Sequence, residues 1–182
     1  MRINIIPVHT LSDVHLQAEL REIPLSIHYF KRSKNTKNGI NWNKVSKTYA
    51  LNQGHAMFFF NKYKYILNRY YELVQENKNR GFKTDSIEEQ FLLLFNEHIN
   101  KEVQNSYMPT KDDMYINIER ILDRIYEMIY IKNKPKFYKL KGKELKFIDW
   151  CIYYTNELEL EYGLVYDIIH NIELKHKGKQ CI

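Results

Sequence analysis

Apolar positions along the chain recur with the 3.6-residue period of helices buried on one face. Leu16, Leu20, Ile23, Ile27 and Phe30 predict a first helix, entered at Thr10 or Ser12 from an extended segment over residues 1–10. His15, Glu19 and Glu22, at i, i+4 and i+7, share a different face of it, with Arg21 beside them. Pro24 removes the donor for the Leu20 carbonyl and is expected to kink the helix just after Arg21-Glu22. Phe59, Tyr63, Ile66, Tyr70 and Leu73 or Val74 predict a second helix from about His55 to Arg80, stopped by Gly81.

Residues 31–54 read as a long loop or two short segments, turned at Asn38-Gly39 and anchored by Trp42 and Tyr49. The apolar run Phe91 to Phe95 predicts a helix within residues 83–108. After Pro109, Thr110 is an N-cap with Asp113 three residues on, and Met114, Ile118, Ile121, Ile125 and Met128 form a core stripe. Asp113, Asn117, Arg120 and Arg124 line the opposite stripe. Phe147, Cys151, Tyr154 and Leu158 predict another helix. Gly163 separates it from a last one carrying Val165, Ile168, Ile169 and Ile172, and residues 175–179 read as a frayed basic tail. The expected fold is all-α, a compact single-domain helical structure with no internal repeat.

Composition agrees with long helices, since Gly and Pro are scarce, at six and four of 182 residues. No apolar run approaches the roughly 18–20 residues that span a bilayer. The start is too short and too polar for a signal peptide. Cys151 and Cys181 have no metal-ligand spacing and suggest no disulfide framework. A soluble protein of a reducing compartment, cytoplasmic and with access to DNA, is the expectation.

The net charge of +6 is unevenly spread. Residues 31–47 hold six cations and no anion, as do residues 131–143, whereas residues 144–182 hold seven acids against four lysines. Two basic blocks suggest a polyanion-binding face, although lysine-rich solvated loops have the same composition. In the second block, Lys136, Phe137, Tyr138 and Lys139 interleave cations with aromatics, as suits phosphates and bases. Arg120 and Arg124, one turn apart, can straddle adjacent phosphates.

Metal chemistry finds no support, because His15 and Glu19 lack further ligands at zinc-like spacing. No Gly-rich phosphate loop is present. What remains is an α-amine at Met1, Glu22, and arginines at 2, 21, 120 and 124. An α-amine has a reference pKa of about 8, against about 10.4 for lysine, so near neutrality a useful fraction is nucleophilic. An amine, a carboxylate and arginines suit imine formation at a sugar carbon of a nucleic acid.

At these residues the sequence resembles a known family. Arg2-Ile3-Asn4, His15-Leu16 with Ala18-Glu19, Arg21-Glu22 and Pro24 form the first match. Gly54-His55, Phe58-Phe59 and Lys62 follow, then Lys78, Arg80-Gly81-Phe82, Pro109, Arg120, Arg124, and Pro135 with Phe137-Tyr138-Lys139. In this order they are similar to the pyrimidine-dimer DNA glycosylase and abasic-site lyase family of the phage endonuclease V type, over roughly residues 1–143. The resemblance implies an all-helical domain with its extended N-terminus threaded between helices; residues 144–182 have no counterpart in it and are expected to form a helical extension packed on the same domain.

The resemblance also implies a bifunctional enzyme of ultraviolet-damaged DNA that needs no cofactor. Its partner is double-stranded DNA carrying pyrimidine dimers or abasic sites, and it acts as a monomer. In the family a terminal amine attacks C1′ of the 5′ pyrimidine's sugar, an imine forms, and β-elimination cuts the strand. Met1 and Glu22 fall on the amine and the essential glutamate. Arg2, His15, Arg21, Arg120 and Arg124 fall on the DNA groove, with Lys136, Tyr138 and Lys139 in the basic-aromatic segment. A non-catalytic DNA binder of the same fold, and an abasic-site lyase with little glycosylase activity, are the alternatives.

Four positions depart from the pattern. The phage member presents a threonine amine before its Arg-Ile-Asn, and here Met1 occupies that place. Methionine before a residue as large as arginine is retained as a rule, so Met1 is expected to supply the amine. Its removal would displace the amine by about 3.5 Å. Leu25 stands where that member has a groove arginine, and Leu140-Lys141 stands where paired tyrosines occur.

Overall fold

The computed structural model describes residues 2–51 and 53–178, with backbone alone at residues 53 and 85–87. The fold is helical, with one two-stranded hairpin among the described residues. Backbone contacts divide it into two compact units. The first comprises Met1–Asn4 and Leu16–Met108, and the second Ile5–His15 and Pro109–Ile182. Residues 144–182 thus lie in the second unit together with 5–15 and 109–143.

Helix α1 spans Asp13–Glu22 and α2 spans Leu25–Lys34. Pro24 separates them into two helices, a stronger effect than the expected kink. Ile23 N–H still bonds the Glu19 carbonyl at 2.8 Å, but Ser26 then returns its N–H and its hydroxyl to the Ile23 carbonyl. Leu16, Leu20, Ile23, Ile27 and Phe30 are all buried, as their spacing predicts.

The helix expected from His55 to Arg80 is broken in two, α3 over Gln53–Phe58 and α4 over Tyr63–Asn79. Phe58, Phe59 and Phe60 are each almost wholly buried. Three consecutive helical residues point about 100° apart, so one helix cannot turn all three inward. The chain bends through residues 59–62 instead, and Lys62 pairs there with Gln104 as an isolated antiparallel bridge. Gly81 ends α4 at φ +78°, with the Gly81 and Phe82 amides bonding the Lys78 and Asn77 carbonyls at 2.9 Å. Helix α5 spans Asp85–His98 and lays Phe91 against Tyr70, with ring centroids 3.9 Å apart.

In the second unit, α6 over Lys111–Tyr126 packs against α7, Phe147–Glu157, and α8, Tyr162–His176. Thr110 and Asp113 form the capping box that their spacing predicts. A turn of π-helix, Glu127–Ile131, continues α6. The hairpin pairs β1, Lys139–Leu140, with β2, Lys143–Glu144. Its turn runs through Lys141 and Gly142 at φ +50° and +79°, and both amides donate to the Asp13 carboxylate.

The C-terminus departs from the expected frayed tail. Lys175 and His176 belong to α8 and bond the Asp123 carboxylate of α6, each at 2.8 Å. Burial disfavours the charged carboxylate, but these bonds and the adjacent cations outweigh it and hold the Asp123 pKa below its ordinary value. Lys179 and the residues after it lie outside the described residues. No helix among the described residues is long and apolar enough to cross a membrane.

Candidate functional site

Residues 3–6 are all buried although they form no sheet. A buried extended segment has a donor and an acceptor at every residue to satisfy. Here side chains do it. Ile3 N–H donates to His55 Nε2 at 3.0 Å, and the Ile3 carbonyl accepts from the Tyr49 hydroxyl at 3.3 Å. Asn4 N–H donates to Glu19 Oε1 at 3.0 Å, and its carbonyl accepts from the Tyr65 hydroxyl at 3.4 Å. In the second unit, Ile5 N–H donates to Asn117 Oδ1 at 2.7 Å.

Glu19 is almost completely buried and accepts four of these bonds. Besides Asn4 N–H it takes the Asn4 side-chain amide at 2.6 Å on Oε2. Arg69 of α4 supplies the other two, Nε to Oε1 at 2.9 Å and an η nitrogen to Oε2 at 3.1 Å. Side-chain exposure is 3% for Arg69 and 0% for Glu19, so the charges neutralise one another inside the unit. Burial works against the guanidinium charge, but Glu19 more than reverses this and keeps the arginine pKa above its ordinary value. Burial likewise pushes the Tyr65 hydroxyl pKa upward, leaving it protonated as a donor.

This segment leads to the two residues nearest the expected chemistry. Arg2 Nε lies 3.8 Å from Glu22 Oε1, with side chains 56% and 24% exposed. Glu22 is the last residue of α1, and the Pro24 break prevents the helix from covering it. Arg21 beside it is exposed. Met1 lies outside the described residues.

The remaining expected residues fall in the second unit. His15 and Tyr138 are both buried, and their rings stack 4.6 Å apart at 27°. The His15 ring also contacts Ser12, Nδ1 to Oγ at 3.0 Å. Lys136 and Lys139 are exposed and half-exposed, each 3.9 Å from the Glu144 carboxylate. Arg124 is exposed and pairs with Glu127 at 2.9 Å, while Arg120 is partly buried. Lys132 and Arg124 hydrogen bonds hold the Glu127 pKa below its ordinary value. The polar stripe of α6 is not all solvated, because Asn117 is fully buried and receives the N-terminal segment.

Sequence reasoning gave Glu19, His55 and Asn117 no anchoring role and passed over Arg69. A signal for Arg69 was present. No Asp or Glu stands between Glu22 and Glu72, and Arg69 falls beside the apolar stripe of α4, where a cation needs a distant carboxylate. Among the described residues no group of three or more His, Cys, Asp or Glu could hold a metal ion. The thiol of Cys151 is buried and its pKa is pushed up to about 12, so it is a poor nucleophile.

These features define a helical protein that holds an extended N-terminal segment by buried side chains and sets its leading arginine beside a partly exposed glutamate. Residues 1–90 match the model of the pyrimidine dimer DNA glycosylase family. That match supports a pyrimidine dimer DNA glycosylase function, with DNA as the substrate it implies. The matched stretch contains Arg2, His15, Arg21, Glu22 and the whole of the Glu19–Arg69–His55 arrangement. Arg120, Arg124, Lys136, Tyr138 and Lys139 lie beyond it.

Proposed function

We propose that the protein is a bifunctional glycosylase and abasic-site lyase whose nucleophile is the Met1 α-amine and whose catalytic carboxylate is Glu22. The observation that carries this reading is the 3.8 Å approach of Arg2 to Glu22, with the next two residues anchored inside the first unit. Ile3 and Asn4 are held by buried hydrogen bonds, and a reaction run from an ordered segment needs little further ordering.

The amine nitrogen bonds to C1′ as the bond from C1′ to the pyrimidine breaks. The departing base keeps the electron pair and takes a proton. Ring opening gives the iminium, loss of a C2′ proton follows, and the C3′–O bond breaks to release the 3′ phosphate. Glu22 stabilises the cationic sugar and carries protons between these steps. Arg2, Arg21, Arg120, Arg124, Lys136 and Lys139 supply phosphate contacts, and His15 with Tyr138 supports the adjoining segment. The glycosylase-like portion is residues 1–143, with 144–182 as its helical addition, and the chain acts as a monomer in a DNA-containing compartment.

Borohydride trapping tests this. Covalent capture on DNA with a cyclobutane dimer and on DNA with an abasic site is the expected result, the adduct mapping to Met1. Capture on abasic DNA alone makes the protein a lyase, and capture on neither makes it a binder. Intact mass showing loss of Met1 removes the proposed nucleophile.

A further inference from the structure

We infer that His55 is a positioning residue that sets the register of the N-terminal nucleophile; this rests on the reading above and deepens it. The ring Nδ1 of His55 lies 3.0 Å from the Ala50 carbonyl, which can only accept, so Nδ1 carries the proton. Nε2 is then a bare acceptor, and the Ile3 N–H fills it at 3.0 Å. The ring also packs in T-shaped contact with Tyr49 and Phe59, with centroids 5.6 and 5.4 Å away. Gly54, beside it in the chain, allows this approach, since a Cβ there would meet the Ala50 Cβ at 3.3 Å.

An acceptor with one permitted orientation reads a backbone in a way that apolar packing does not. In an extended segment successive amides face opposite sides, so a slip by one residue turns the donor away from Nε2. The same slip puts the Arg2 guanidinium into the fully buried place of Ile3. Glu19, held by Arg69, makes the same demand on the Asn4 amide. Two consecutive amides are thus read by two different side chains, and the distance from Ile3 back to the amine is fixed at two residues. A family of reactions that depends on one amine meeting one sugar carbon gains from such a fixed count.

The test compares His55→Leu, which removes the acceptor, with His55→Gln, whose amide oxygen can occupy the place of Nε2. The readout is the single-turnover rate of borohydride-trappable adduct on abasic DNA, beside the dissociation constant for the same DNA. The leucine variant is expected to trap about tenfold or more slowly with unchanged binding, and the glutamine variant to recover most of the rate. Equal trapping by wild type and His55→Leu overturns the inference, as does failure of a folded His55→Gln to recover. If the leucine variant does not fold, the wild-type tautomer decides, by long-range proton–nitrogen correlation. An Nδ1-protonated ring is expected, and an Nε2-protonated ring overturns the role. Mapping the wild-type adduct separates the two failures, because capture on a lysine sinks the proposed function, whereas capture at Met1 with an insensitive His55 sinks only this inference.

Discussion

Replacing Arg69 by leucine leaves Glu19 buried, without its guanidinium partner and short of two of its four hydrogen bonds. Breaking a buried ion pair by removing one partner costs about 3–5 kcal/mol. Against a typical total stability of about 5–15 kcal/mol that is a large share. For a chain of this length each kcal/mol moves the midpoint by about 2–4 °C, so Arg69→Leu should lower Tm by roughly 6–20 °C. The double variant Glu19→Leu/Arg69→Leu removes both charges of the pair, yet it takes the Glu19 acceptor from two Asn4 donors, the backbone N–H and the side-chain amide. Each unsatisfied buried donor costs about 1–3 kcal/mol, and the broken-pair penalty is no longer counted twice, so the double variant should lose less than the sum of the two single variants. Urea unfolding of the wild type, both single variants and the double variant closes this cycle. A loss below about 1 kcal/mol for Arg69→Leu, or a double-variant loss equal to the sum of the singles, refutes the reasoning.

Glu22→Gln should abolish excision of a cyclobutane dimer while leaving DNA affinity nearly unchanged, measured by strand nicking and by gel shift. Dimer excision at the wild-type rate would show that Glu22 is not the catalytic carboxylate. Gly81→Ala meets no neighbouring atom within 4 Å, so its cost is that of the left-handed φ alone, about 1 kcal/mol by urea unfolding. Because its folded pKa is depressed, Asp123 contributes stability above its unfolded value of about 3.9, and that contribution is lost as pH falls through the lower folded value. Asp123→Asn should therefore weaken the protein at pH 7 and flatten its loss of stability in acid, checked by urea midpoints across pH 2–7. Affinity for DNA should fall linearly on a log–log plot against salt, and a flat line would deny phosphate contacts a role.

What the sequence made legible was burial by periodicity. The stripe from Leu16 to Phe30 and the stripe from Phe147 to Leu158 are inside as their spacing requires. Local chemistry was legible too, in the Thr110–Asp113 box and the Gly81 stop. Breaks were harder, because the run Phe58 to Phe60 fits a helix by composition and fails it only when all three rings must point inward. Long-range polar pairing was not legible at all. Periodicity says which face of α1 is apolar, but Glu19 is buried because of Arg69, fifty residues away, and nothing local announces that. The same blindness left His15 and Tyr138 as separate residues in the sequence, whereas their rings stack.

The anchoring of the N-terminal segment also sets a clock. Ile5 finds its acceptor on Asn117, 112 residues further along the chain. At a synthesis rate of about 5–20 residues per second, the first residues wait roughly 6–22 s on the ribosome before that acceptor has been made. The N-terminal segment therefore completes its burial only after most of the chain has been made.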